Sequence, residues 1–123
     1  MNVQKILKAI DDKYPGKKTI LDPPENPTEI VCELEPTSDH PEQSTALAIV
    51  GRSKPHYHKI STEIYEAVKG TLTVYKDGQK FILKEGEKIT IKPNVIHHVE
   101  GVEAWFLTYS KPGWIFEDHI IVE

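Results

Sequence analysis

Four of the six histidines in this chain fall in two tight pairs, His56/His58 and His97/His98. In an extended strand, residues two apart point to the same face, so His56 and His58 can aim at one point. Neighbouring residues cannot, so only one of His97 and His98 can join them. Glu63 follows the first pair at the start of the next strand, close enough to fold back over it. Three imidazoles and a carboxylate make a mixed nitrogen–oxygen donor set. That set suits one divalent transition metal (Fe, Mn, Ni, Zn, Co or Cu) rather than Mg or Ca. In an octahedral arrangement it leaves two positions for water or substrate.

The elements that must carry these residues are short strands. Thr45 to Val50 is an apolar run ending at Gly51, and Glu63–Lys69 and Thr71–Lys76 flank Gly70. Asp77-Gly78, whose residues tolerate positive φ, joins Thr71–Lys76 to Lys80–Lys84 as a hairpin. Glu85-Gly86 turns the chain into Lys88–Lys92, and Ala104–Ser110 is a last aromatic-rich strand. Evenly spaced short strands with turns between them predict an all-β fold, an antiparallel β-barrel or jelly roll.

The first part of the chain differs in kind. Val3, Ile6, Leu7 and Ile10 share one helical face, Asn2 can cap that helix, and Pro15-Gly16 ends it. Six of the nine prolines then fall between Pro15 and Pro41. They predict an extended arm with one short strand, Ile30–Leu34, kept to an edge because proline cannot donate to a ladder. The expected organisation is a helix and Pro-rich arm over residues 1–43, packed on a barrel over residues 44–123. Cys32 is alone, which excludes an internal disulfide and any cysteine metal cluster. It reads as a small buried apolar residue.

With Gly51-Arg52-Ser53-Lys54-Pro55-His56-Tyr57-His58, then Glu63 after four residues and Gly70 after six more, the chain resembles the cupin superfamily in its first motif. The second motif appears as Gly86, five residues, then Lys92-Pro93-Asn94-Val95-Ile96-His97. Gly51 lies one residue closer to His56 than is usual, and Lys92, Asn94 and Gly101 replace common motif residues without touching a ligand position. The resemblance, over roughly residues 45 to 110, implies a conical barrel of cupin type with metal ligands at His56, His58, Glu63 and His97. The motif spacing, with the Pro93-Asn94 turn, selects His97; His98 is the one-residue slip and is expected to face away.

Around that centre, Tyr65 shares parity with Glu63 and is the candidate cavity residue. Glu66 has the opposite parity and is expected outside. Trp105, Leu107 and Tyr109 share one face of the last strand and Phe106, Thr108 and Ser110 the other, with the inner face undecided. His40 and His119 read as loop and surface residues. Trp114 and Phe116 read as covering the barrel or a dimer contact. Arg52, Lys54 and Lys59 could attract an anionic substrate but read first as solvated charges.

A net charge of −4 with no basic block argues against a nucleic-acid partner, and the single arginine, Arg52, weakens any reading built on bidentate phosphate clamps. The N-terminal apolar residues never run together, so neither a signal peptide nor a membrane span is expected, and the expected location is cytoplasmic. The resemblance implies a metal-dependent enzyme on a small polar substrate. Two reaction classes follow: isomerisation or epimerisation of a sugar or sugar phosphate, and oxygen-dependent cleavage of dioxygenase type. The alternative is a non-catalytic small-ligand or metal-binding module. No general base is identified, and a homodimer is expected from the arm.

Overall fold

A computed structural model describes residues 1–122 of the chain. One helix, α1 (Val3–Lys13), precedes ten strands: β1 (Thr19–Asp22), β2 (Glu29–Glu35), β3 (Ser44–Arg52), β4 (His56–Tyr57), β5 (Thr62–Lys69), β6 (Leu72–Lys76), β7 (Gln79–Leu83), β8 (Lys88–Ile91), β9 (His97–Lys111) and β10 (Ile120–Ile121). A single 3-10 turn, Phe116–Asp118, lies between β9 and β10. All the pairings are antiparallel, and the strands form one curled sheet.

The long strand β9 is the spine. Its first half pairs with β4 and β6, and its second half with β3 and β5. Alternation had predicted a strand only over Ala104–Ser110, but the strand begins at His97. Between the halves the chain bends: Glu103 takes φ 50°, and a Cβ on Gly101 would lie 2.5 Å from Cβ of Ala104. Only glycine fits that approach, so the bend and the strand coexist.

β3 is apolar from Ala46 to Val50 because both its faces are covered there. Ala48 and Val50 face the barrel interior with Tyr65, Ala67, Leu72, Val74, Val99 and Phe106. Leu47 and Ile49 face outward with Ile30, Cys32 and Trp105, under Ile6 and Ile10 of α1. The helix therefore caps the outer face of its own sheet, as its apolar stripe requires. Each such aliphatic side chain, fully buried, contributes about 1.5–3 kcal/mol. The undecided face of the last strand is settled: Phe106 points in and Trp105 out.

The arm stays on its own barrel, with β1 and β2 extending the sheet from β3. The Asp77-Gly78 turn has positive φ at both residues, 52° and 76°, as its hairpin demands. The two-residue strands β4 and β10 escape any periodicity, since they exist only through each other and β9. Among the described residues no helix is long and apolar enough to cross a membrane.

Candidate metal centre

His56 on β4 pairs directly with His97 at the start of β9, which sets both side chains on the inner face. His58 follows two residues after His56, and Glu63 faces inward from β5, across from Ser110 of β9 and Ile91 of β8. One ligand atom from each of His56, His58, Glu63 and His97 can be chosen so that all four lie within 4.8 Å of one another. All four residues are buried. His98 lies on the other side of the strand, stacked on Tyr75 at 4.5 Å, with Nε2 3.4 Å from Glu100.

Backbone carbonyls orient the three imidazoles. Nδ1 of His56 lies 2.8 Å from the oxygen of Lys54, Nδ1 of His58 3.0 Å from that of Asp118, and Nδ1 of His97 2.8 Å from that of Val95. A carbonyl oxygen can only accept, so each Nδ1 carries the proton and each neutral ring presents the Nε2 lone pair to the cluster. Nε2 of His58 and of His97 is buried without a hydrogen-bond donor. They lie 3.1 and 3.5 Å from Oε1 of Glu63.

The electrostatics divide: His56 stays neutral, whereas Glu63 raises His58 above its ordinary range despite burial, so without a cation that ring is drawn toward a second proton on Nε2. Burial pushes His56 down to about 3, helped by His97 and His119, so it stays neutral through the ordinary pH range. Burial alone would raise Glu63, but positive charge and hydrogen bonds at Nε2 of His58 and His97 hold the carboxyl well below its usual range. A bound cation fills that role when those rings are neutral. Two buried lone pairs facing an ionised carboxylate repel one another unless a cation sits among them. The donor set fits a divalent transition metal, and the orphaned nitrogens are the observation that says so.

Tyr65 is buried beside this set, and its hydroxyl donates to Oε1 of Glu63 at 3.0 Å. Burial and the two carboxylates Glu63 and Glu29 push its own ionisation far up. Tyr65 is therefore a hydrogen-bond donor that orients Glu63. Glu66 points outward and accepts from Tyr109 at 2.9 Å.

Three further residues at the centre went unrecognised in the sequence. His119, expected on the surface, stacks on His56 with ring centroids 4.3 Å apart. Its Nδ1 accepts from Nε1 of Trp114 at 3.3 Å, which puts its proton on Nε2. Asp118 accepts from the amides of Lys59, Ile60 and Ser61. β10 then pairs with His56 and Tyr57, so the C-terminal segment is laced to the site. Glu29, on β2, lies directly across from Val50 and so shares the inner face with it. No local pattern marks these positions, because each is brought in by a pairing distant in sequence. Phe116, expected to cover the barrel or a dimer contact, does not cover its own barrel and is 76% exposed.

Comparison with known proteins agrees with this architecture. A family model described as a cupin domain matches residues 45–104. An uncharacterized protein of Methanocaldococcus jannaschii is 36% identical over 87 residues, spanning 66% of this chain and 70% of that protein. Among solved structures, Pac13, a nucleoside dehydratase of Streptomyces, superposes with a TM-score of 0.74 at 16% identity, covering 87% of this chain and 85% of that one. It has also been solved with uridine. Oxalate decarboxylase of Bacillus subtilis superposes with a TM-score of 0.72 at 16% identity, covering 89% of this chain and 31% of that one.

Proposed function

The chain belongs to the cupin family, and on that footing we propose that it is a metal-dependent enzyme acting on a small polar substrate. One divalent transition metal is held by His56, His58, Glu63 and His97. The observation that carries this reading is the pair of buried, donorless Nε2 atoms facing Glu63. When bound, such a metal polarises a carbonyl or enediol oxygen or, if redox-active, serves oxygen chemistry.

The remaining work is done by the chain's own groups. The carbonyls of Lys54, Val95 and Asp118 hold the three imidazoles in one tautomer and rotation. Tyr65 holds the Glu63 carboxylate in place. The apolar interior of Val50, Val74, Val99 and Phe106 excludes water from the far side of the cluster. Access is left on the side where His56 and His119 border a pocket. Enzymes such as the Streptomyces nucleoside dehydratase on this fold support catalysis on a small molecule.

The test is elemental analysis of protein purified without added metal or a histidine tag, repeated on His58→Ala. About one equivalent of a transition metal, lost in the variant, supports the centre; no metal in either, with unchanged stability, overturns it. Turnover assays on metal-loaded protein then use sugars, sugar phosphates and diketones with an oxygen electrode. Oxygen uptake assigns the dioxygenase class, and isomer formation without uptake the isomerase or epimerase class. Metal without turnover on any of them would make this barrel a binding module.

A further inference from the structure

The metal centre opens on a pocket that it does not itself explain. The pocket has a volume of about 80 Å³ and is bordered by Asp22, Glu29, Arg52, Lys54, His56 and His119. One wall thus comes from the metal centre, and the others from the arm, from the end of β3 and from the C-terminal segment.

Two of these side chains are chemically unsatisfied. Glu29 sits half-buried on the inner face, across from Val50, and among the described residues its carboxylate has no hydrogen-bond donor or ion-pair partner. Its nearest charged company includes two other carboxylates, Asp22 and Glu63, which with burial push it up to about 7. A carboxyl placed so poorly for stability, at a pocket rim, is the pattern of a group waiting for a ligand. Arg52 is the only arginine in the chain. It is exposed at the same pocket, with no carboxylate within ion-pair distance among the described residues. Its planar fork is built for a bidentate oxyanion, with Lys54 adding charge.

We propose that this pocket binds a small hydroxylated ligand carrying an oxyanion, with the oxyanion on Arg52 and a hydroxyl on Glu29. The site deepens the metal-centre reading and rests on it for the reacting end of the ligand. His119 borders the same space with its proton on Nε2, and supplies a second donor to a ligand oxygen. The volume suits the buried part of a small ligand. Carboxylate and phosphate share the chemistry that Arg52 recognises.

Three probes on one three-carbon skeleton separate these features: glycerate, glycerol 3-phosphate and glycerol. Each is titrated calorimetrically into Co²⁺-loaded protein at pH 6. The Co²⁺ absorption of every variant is recorded first. At least one anion is expected to bind saturably, tenfold or more tighter than glycerol, and the tighter of the two assigns carboxylate or phosphate. Arg52→Gln is expected to abolish the preference for the anion. Glu29→Ala is expected to weaken binding several-fold, with Glu29→Gln restoring it. Normal Co²⁺ absorption with no anion preferred over glycerol, or with both Arg52→Gln and Glu29→Ala binding like the wild type, overturns the pocket and leaves the metal centre standing. Failure to take up Co²⁺ overturns the metal centre, and the pocket with it.

Discussion

Asp118 grips His58 and the loop beyond it from 60 residues away. Its carbonyl oxygen accepts from Nδ1 of His58 at 3.0 Å. Its carboxylate accepts from the amides of Lys59, Ile60 and Ser61 at 2.8 to 3.0 Å. Those three residues lie between His58 and Glu63, so one side chain sets the spacing of two cluster members. The three amides hold the carboxyl below its ordinary range, more than offsetting burial. Asp118→Ala leaves the amides without their acceptor, which costs about 1–3 kcal/mol. The backbone carbonyl stays on His58, so metal affinity is expected to fall about tenfold, through the loosened 59–61 loop rather than through the ring itself. Competition with a chromophoric chelator measures the affinity, and unchanged affinity would remove Asp118 from the centre.

The paired histidines give a sharper contrast. His97 faces the cluster and His98 the outer surface, stacked on Tyr75. His97→Ala is expected to remove most bound metal, and His98→Ala to leave one equivalent in place. Metal analysis of the two variants checks this, and metal loss in His98→Ala alone would mean that β9 is shifted by one residue.

The cluster was legible because its signals are local. His56 and His58 are two apart, Glu63 opens the next strand, and the Pro93-Asn94 turn, where Asn94 takes φ 68°, sets the count to His97. Parity likewise placed Tyr65 inside and Glu66 outside. Asp118, His119 and Glu29 were not legible, because their roles depend on contacts that no periodicity encodes. His119 looked like a surface residue until β10 paired with β4. The true length of β9 was hidden because Gly101 and Glu103 bend the strand and interrupt its alternation before Ala104.

Tyr65→Phe isolates the hydrogen bond to Glu63 while keeping the ring that packs on Phe106. The apolar core should tolerate it, with a stability loss of about 1 kcal/mol. Freed of its donor, Glu63 can rotate, so metal affinity should fall about tenfold. Chelator competition and denaturant unfolding, run on the same preparation, separate the two effects. An affinity loss no larger than that of an outer-surface variant would make Tyr65 a filler only.

Gly101→Ala tests the bend. The added methyl would meet Cβ of Ala104 at 2.5 Å and the carbonyl of Thr71 at 3.3 Å, so the two halves of β9 must part. A loss of about 1–3 kcal/mol is expected. Val102→Ser, one residue along at a side chain 97% exposed, should change stability by less than about 0.5 kcal/mol. Equal effects at the two positions would rule out the close approach as the reason for the glycine.

Glu29 gives the fold a pH dependence of definite sign. Burial first, then Asp22 and Glu63, raise its carboxyl from 4.5 to about 7. Between those values the folded chain holds a proton that the unfolded chain has released, so stability falls as pH rises through this window. Asp22 reaches Glu29 from β1 and Glu63 from β5, while Arg52, Lys54, His56 and His119 border the same pocket. Glu29→Gln cannot ionise, so the difference in unfolding free energy between wild type and variant isolates the carboxyl. The variant's relative stability should increase from pH 5 to pH 8, by up to about 3 kcal/mol. A difference that stays flat across that range would show Glu29 to be ionised at pH 5 like an ordinary surface carboxylate, and would remove the strain at the pocket rim.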